Sequence, residues 1–256
     1  MEKASIIGLP LALTSIVGCL MLEGGHLSSL VGGPAALIVL GGAFGATLVN
    51  IPFEESMRAL KEAKKVFLGS HMDFEGLIEQ IVRLAGIARK DGLLALEKER
   101  ENITDPLLKE AMKFAVDGLD PNLVAQILDA RVSHKIHLNA NCAKFWKQMG
   151  AYAPTVAIVG AVLGLIHVME NLDNPDMIGP GIAVAFIATV YGVTVSNVIF
   201  LPMGGKLDII YEHETIYFDM IMLGVRDIQM GTSPSIISSR LMALLDQEAK
   251  EEDAPA

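Results

Sequence analysis

Two long apolar runs without a charged side chain constrain this chain more than any other feature. They cover residues 152–169 and 177–205, and no Asp, Glu, Lys or Arg occurs between Lys147 and Glu170 or within the second run. Each charge-free stretch exceeds the roughly 20 residues that a helix needs to cross the hydrocarbon core of a bilayer. The short acidic connection, residues 170–176, is rich in turn formers. The sequence therefore predicts a helical hairpin in a membrane.

Both runs carry small residues three and four apart, a spacing that places them on one face of a helix. In lipid, small residues let helix backbones approach closely, because no hydrophobic force draws the helices together. Ordinary helix packing explains such a stripe, whereas the threonines Thr155, Thr189 and Thr194 also favour a lined passage or an interface between subunits. The small residues are Ala153, Ala157, Gly160, Ala161 and Gly164 in the first run and Ala185, Ala188, Thr189, Gly192 and Ser196 in the second.

Two further charge-free segments near the N-terminus bring the number of predicted spans to four. Residues 4–22 and 24–53 contain no Asp, Glu, Lys or Arg, and they predict a transmembrane hairpin within residues 1–51. Gly41 and Gly45 lie four residues apart in the second of these spans. This spacing predicts close packing against another helix.

The distribution of basic residues predicts how the spans are oriented. Fifteen of the 20 Lys and Arg residues lie between Arg58 and Lys147, and the connections 23–29 and 170–176 carry none. Short loops that are rich in Lys and Arg stay in the cytoplasm. Both termini and residues 52–151 are therefore predicted to be cytoplasmic, in a multi-pass protein of the cytoplasmic membrane.

The fold predicted from these patterns is an all-α membrane protein with four transmembrane helices and a helical cytoplasmic domain. Residues 152–205 form the second transmembrane hairpin, while the large loop 52–151 and the tail 206–256 form the cytoplasmic domain. Residues 55–68 have one apolar and one basic face. This pattern favours a helix at the inner membrane surface or, equally, a helix packed in the cytoplasmic domain.

Two Asp-Pro pairs mark helix starts in the large loop, since Asp is a favoured N-cap and Pro a favoured first helical residue. They are Asp105-Pro106 and Asp120-Pro121, and no helix breaker follows the second pair from residue 122 to 150. This helix is predicted to continue directly into the span that begins at Tyr152. Continued through residue 169, it would measure on the order of 75 Å.

The chain shows no pattern for chemical catalysis. It has no nucleophile–base pair, Walker motif or dinucleotide fingerprint, so neither enzyme activity nor a cofactor is expected. His134 and His137 lack an acid or cysteine at a completing position, so no metal site is predicted. No acid or base lies deep in a span, although ion transport needs a titratable group at that depth. Either the chain moves no ions or a partner supplies the carboxylate.

Charged residues are concentrated in residues 89–100, around a short apolar core. A solvated surface laced with ion pairs is the usual interpretation of such a segment. The alternative is an electrostatic docking face that orients another protein through complementary charge.

The whole chain resembles the flagellar motor stator A subunit, the MotA/PomA family within the MotA/TolQ/ExbB superfamily. The most specific similarity lies in residues 88–97, in Ala153-Pro154 with residues 160–164, and in residues 178–185 and 189–192 together with Pro202. The resemblance implies a channel-forming subunit that couples inward ion flow to torque on the rotor of the bacterial flagellum. It also implies a ring of five A subunits around a dimer of a MotB-like B subunit, which supplies the membrane aspartate and the peptidoglycan anchor.

The resemblance also assigns roles to individual residues. Arg89, Lys90 and Glu97 correspond to residues that engage the rotor protein FliG. The prolines Pro154 and Pro202 bracket the channel helices. The predicted ion pathway contains Thr189, which faces the partner's aspartate, together with Thr155 and Ala161.

The residue at position 161 bears on the transported ion. Sodium-driven relatives carry threonine where this chain has Ala161. A methyl group removes an oxygen ligand that a hard cation would use, so the transported ion is predicted to be H⁺.

Two alternatives to a stator remain. One is an ExbB/TolQ-like energiser of another cell-envelope process, although those relatives have three spans and lack the segment from Arg89 to Glu97. The other is a non-conducting membrane scaffold.

Overall fold

The computed structural model describes residues 3–70 and 72–252, with side chains described as far as Leu245. Over these residues the chain is helical and contains no strand, which confirms the predicted all-α fold. Short 3₁₀ segments at Leu27–Leu30 and Leu93–Asn102 connect longer helices. The helices are α1 (Lys3–Leu22), α2 (Gly33–Asn50), α3 (Phe53–Glu62), α4 (Lys65–Leu68), α5 (Phe74–Asp91), α6 (Pro106–Val116), α7 (Pro121–Glu170), α8 (Pro175–Gln229) and α9 (Pro234–Glu252).

The described residues form two compact units. The membrane unit comprises residues 3–70 and 138–210, and the extramembrane unit comprises residues 72–137 and 211–252. Four helices, α1, α2, α7 and α8, are long and apolar enough to cross a membrane. The number of spans predicted from the charge-free segments is thus confirmed.

Helix α7 is continuous over 50 residues, as the absence of a breaker predicts. At its start, the Asp120 carboxylate accepts a hydrogen bond from the Asn122 N–H at 2.9 Å. Asp105 caps α6 in the same way, accepting from the Leu108 N–H at 2.9 Å. Both Asp-Pro pairs therefore begin helices, because the aspartate satisfies an amide that the first turn leaves unpaired.

The single helix predicted for residues 55–68 is wrong. The structure has α3 and α4 instead, separated by Ala63 and Lys64. There the backbone tightens to bonds between residues three apart, with the Val66 N–H bonded to the Ala63 carbonyl at 3.1 Å. Such a 3₁₀-like turn shifts the register of the helix face, and Val66 is buried after it.

In the membrane unit, α2 packs against α7 through a different glycine from those predicted. A methyl group on Gly42 would lie 2.5 Å from a Val156 methyl, whereas Gly45 has no heavy atom within 4 Å of such a position. The nearest atom to Gly41 is Leu37, in its own helix. Within this chain the close contact is therefore made by Gly42, one residue away from the predicted Gly41, and the packing predicted for Gly41 and Gly45 stays a prediction.

The extramembrane unit has a core of large aliphatic side chains from α5, α6, α7, α8 and α9. The Asp227 carboxylate is buried beside this core and forms two hydrogen bonds with Arg240, at 2.6 and 2.8 Å. The most fully buried members of this core include Ile81, Leu84, Leu96, Leu108, Met112, Leu128, Met220, Ile221, Ile237 and Leu241.

Candidate functional site

Helices α7 and α8 meet along the small residues that the sequence singles out. A methyl group added to Gly164 would lie 3.0 Å from both the Ala185 nitrogen and the Gly181 oxygen, which are backbone atoms. One on Gly160 would lie 3.1 Å from the Ala188 Cβ. The two backbones are therefore as close as helices can approach in lipid. The buried stripe consists of Ala153, Ala157, Gly160 and Gly164 on α7 and Ala185, Ala188, Gly192 and Ser196 on α8.

Pro154 belongs to this contact. A proline cannot donate the helical hydrogen bond to the carbonyl four residues earlier, which here is the carbonyl of Gly150. The Ser196 hydroxyl donates to that carbonyl at 2.7 Å. A Cβ on Gly192 would lie 3.2 Å from the Pro154 Cα. The neighbouring span thus supplies both the missing hydrogen bond and the space that the proline needs.

Pro202 lies in a different environment. It is exposed on α8, directly after a π-helical segment, Val195–Phe200. Its ring removes the N–H that would bond the Val198 carbonyl, and π-helical turns commonly absorb such a mismatch within a helix. The two predicted channel prolines therefore differ in their surroundings: Pro154 is part of the contact between α7 and α8, whereas Pro202 is exposed.

The predicted ion-pathway residues lie at the edge of the packed stripe or outside it. Ala161 is half-buried, while Thr155 and Thr189 are exposed. The Thr155 hydroxyl donates to the Tyr152 carbonyl at 2.8 Å, and the Thr189 hydroxyl donates to the Ala185 carbonyl at 3.2 Å. Each hydroxyl oxygen therefore keeps lone pairs for a group outside the chain.

Tyr191 is a residue that the sequence reasoning did not single out as a site. Its hydroxyl donates to the Leu30 carbonyl at 2.6 Å and accepts from the Gly32 N–H at 3.3 Å. These two backbone groups precede the first residue of α2. Tyr191 thus fixes the start of the second span near the middle of the apolar run 177–205. In the sequence Tyr191 stands out only as part of the motif 189–192 that carries the family resemblance.

Two ion pairs stabilise the charged segment 89–100, one within the segment and one to α5. Glu97 accepts from Arg100 at 3.2 Å, and Arg83 pairs with Glu99 at 2.8 Å. Leu96 is buried and anchors the 3₁₀ segment in the extramembrane core.

Arg89 and Lys90 lie on the last turn of α5 and are exposed. Among the described residues, neither side chain forms an ion pair. Gly92, with a φ of +84°, then turns the chain away from the helix. The segment therefore presents two cations that form no ion pair among the described residues, together with Leu94, which is 77% exposed.

His134 and His137 are both exposed on α7. In the part of the chain that the structure describes, no three His, Cys, Asp or Glu side chains come together as a metal site would require. Cys19 is exposed and Cys142 is buried, and in the described part of the chain neither forms a disulfide.

Comparison with known proteins assigns the class. Residues 99–220 match the MotA/TolQ/ExbB proton channel family, and residues 6–92 match the motility protein A N-terminal family. The acid-free hairpin thus belongs to a subunit of a membrane ion-channel complex.

Full-length relatives narrow the class to one family. Motility protein A of Bacillus subtilis is 31% identical over 96% of this chain and 91% of its own length. Chemotaxis protein PomA of Vibrio alginolyticus is 32% identical over 96% of each chain.

Two solved structures have the same fold. The C. jejuni MotAB structure superposes with a TM-score of 0.89 at 33% identity, covering 95% of this chain and 96% of that one. The flagellar MotAB stator complex from Bacillus subtilis gives 0.86 at 30% identity, covering 99% and 100%.

The chain belongs to the motility protein A family. It is a stator subunit of the bacterial flagellar motor, a multi-pass protein of the inner membrane that assembles with a MotB subunit. Identification as a stator rather than as an ExbB/TolQ-like energiser or a scaffold is thereby confirmed.

Proposed function

We propose that this subunit conducts protons, along a pathway formed by Ala161, Thr189 and Thr155 on the exposed faces of α7 and α8. The observation that carries the proposal is the combination of exposed threonine hydroxyls with spans that contain no acid. The hydroxyl oxygens can accept hydrogen bonds from water or from a protonated carboxylic acid. The B subunit supplies that acid. The A subunit itself is proposed to conduct ions without catalysing a chemical reaction.

The identity of the ion is tested by motor speed. Cells in which this subunit and its B partner are the only stators should swim at a speed that is independent of external sodium at constant pH. Their speed should fall when the proton gradient is collapsed at constant sodium. A speed that follows external sodium would contradict proton conduction.

A matched pair of variants tests the role of position 161. Ala161→Thr restores an oxygen at the predicted pathway, whereas Ala183→Thr adds the same group at an exposed position on α8. We expect Ala161→Thr to change motor speed or its ion dependence and Ala183→Thr to leave both unchanged. Equal effects of the two variants would remove Ala161 from the pathway.

We further propose that Arg89, Lys90 and Glu97 engage FliG, and that both termini and the extramembrane unit are cytoplasmic. The unpaired, exposed Arg89 and Lys90 support this proposal. Glu97 also supports it, because its side chain remains 55% exposed although it is paired with Arg100. Complementary charge across such an interface sets orientation and association rate.

Charge reversal tests the docking proposal. Arg89→Glu and Glu97→Arg should each reduce motility strongly while the complex with the B subunit still assembles. The control is Lys113→Glu, which reverses an exposed charge on α6 and should leave motility near normal. Normal motility of both docking variants would exclude these residues as the rotor contact.

The proposed assembly is a ring of five A subunits around a B dimer. In such a ring the hairpin of α7 and α8 in every A subunit lies near the B helices. Apolar side chains that both helices expose within their membrane spans are available for this contact. The mass of the intact complex in detergent, measured by native mass spectrometry, tests the stoichiometry directly. Any other ratio would contradict it.

A further inference from the structure

The membrane unit contains a cavity of about 480 Å³ beside its first span. The volume lies in the range of small-molecule binding pockets. Its walls come from three helices, the N-terminal half of α1, the short helix α4, and the part of α8 around Pro202. Representative lining residues are Gly8, Leu9, Phe67, Pro202, Met203 and Lys206.

The cavity lies against a helix, α1, that buries little of its surface within this chain. Helix α1 packs against α4 and against Val195–Phe200, yet none of its residues is buried. Gly8 lies on the cavity wall, and no heavy atom lies within 4 Å of a methyl group built on it. An apolar gap between membrane helices is filled by lipid hydrocarbon rather than by water, because water finds too few hydrogen-bond partners there.

The charge at this end of the unit is basic. Lys206 lines the cavity itself. Lys3 is exposed and directly precedes the lining residue Ala4, and Lys64 is exposed two residues before Val66. The Glu62 carboxylate lies 2.8 Å from the Lys65 ammonium. The opening therefore offers cations next to an apolar cavity.

We propose that this cavity binds a phospholipid with an anionic headgroup. One acyl chain occupies the space between α1 and α8, and the headgroup phosphate lies against Lys206. Lysines near a membrane surface attract anionic lipids, and the apolar wall excludes a free phosphate as the occupant. The bound lipid fills the gap beside a span that the chain packs poorly. This site is independent of the proposed ion pathway and of the proposed rotor contact.

Lipid retention by the complete complex tests the proposal. The complex of this subunit with its B partner is purified in detergent and titrated with phosphatidylglycerol or with phosphatidylcholine of the same acyl chains. Native mass spectrometry then counts the lipids that stay bound. We expect phosphatidylglycerol to be retained in preference to phosphatidylcholine. Lys206→Gln should lower phosphatidylglycerol affinity by about fivefold, as expected for one lysine, while the exposed Lys113→Gln should not.

A pair of glycine variants separates the cavity from the general lipid surface. Gly8→Leu fills the cavity and should abolish selective retention. Gly18→Leu is the same substitution on the same helix, also with no heavy atom within 4 Å, but away from the cavity, and should leave retention unchanged.

Three results would overturn the proposal. The first is equal retention of the two lipids, and the second is selective retention that survives Gly8→Leu. The third is a Gly8→Leu complex that loses A subunits, because the cavity would then be an interface between copies of this chain.

Discussion

The membrane unit and the extramembrane unit are each stabilised internally by a different kind of packing. In the membrane unit, α7 and α8 meet through alanine and glycine, with backbone atoms close to Gly164. In the extramembrane unit, buried leucine, isoleucine and methionine side chains form one continuous cluster. The contrast follows from the solvent. Burying apolar area stabilises a unit surrounded by water, whereas in lipid the gain comes from close approach and from satisfied polar groups.

This contrast predicts that the two units respond to opposite changes in volume. Removing side-chain volume should damage the extramembrane unit, because it leaves a cavity in a close-packed core. Adding volume should damage the contact between α7 and α8 in the membrane unit, because the backbones of these two helices already lie close together. Each of the following predictions tests one side of the comparison.

The largest effect is expected from Leu84→Ala in the extramembrane core. Leu84 is fully buried, so its truncation should destabilise this unit by about 2–5 kcal/mol. In the purified complex the change should appear as faster proteolysis within residues 72–137 and a lower thermal midpoint. The control Leu94→Ala removes the same atoms from a side chain that is 77% exposed. Proteolysis that is equally fast in both variants would contradict the assigned core.

A smaller effect of the opposite kind is expected from Gly164→Ala. The added methyl would lie 3.0 Å from two backbone atoms of α8, so the spans must separate, at a cost of about 1–3 kcal/mol. Gly45→Ala is the matched control, since no atom crowds that position. It should stabilise the complex slightly, because alanine favours a helix over glycine by about 1 kcal/mol. Thermal midpoints in detergent that shift in the same direction would refute this difference.

Tyr191→Phe tests the polar part of membrane packing. The substitution leaves the Leu30 carbonyl and the Gly32 N–H without their shared partner, which should cost about 1 kcal/mol. Tyr152→Phe is the control, because among the described residues the Tyr152 hydroxyl forms no hydrogen bond. The thermal midpoint of the complex should fall for the first variant only. An unchanged midpoint for Tyr191→Phe would mean that the start of α2 is fixed by other contacts.

The sequence predicts the spans well because a charged side chain in the bilayer core is costly, so long segments without Lys, Arg, Asp or Glu mark the membrane helices. It also predicts the stripe from Ala153 to Gly164, since small residues at helical spacing have few other uses in lipid. It cannot choose between adjacent faces. Gly41 and Gly42 are equally small, and only the packing of Val156 decides that the second makes the contact.

Long-range hydrogen bonds are invisible in the sequence for a related reason. The Ser196 hydroxyl replaces the bond that Pro154 removes, yet these residues are far apart in the chain. A proline in a helix predicts that a carbonyl needs a donor, but not which residue supplies it. The break between α3 and α4 likewise occurs without glycine or proline, and Val66, which follows it, is buried.

At neutral pH the smallest effect is expected from Tyr217 in the extramembrane unit, because its contribution to stability changes only at alkaline pH. Burial, followed by the charges of Asp105 and Asp73, raises the pKa of Tyr217 from 10.0 to about 12. The folded state therefore holds this proton more tightly than the unfolded state. The resulting stability is complete below pH 10 and is lost as the pH rises from 10 to about 12.

Tyr217→Phe should remove this pH dependence and preserve the edge-to-face contact with Phe74, whose ring centre lies 5.7 Å away. The thermal midpoint of the variant complex should then decline less steeply than that of the wild type across this pH range. Slower proteolysis within residues 72–137 at the alkaline end should accompany it. Parallel declines would mean that the tyrosine ionises equally in both states. Such a result would weaken the distinction between the two units, because burial of the Tyr217 ring against the extramembrane core should raise the pKa of its hydroxyl.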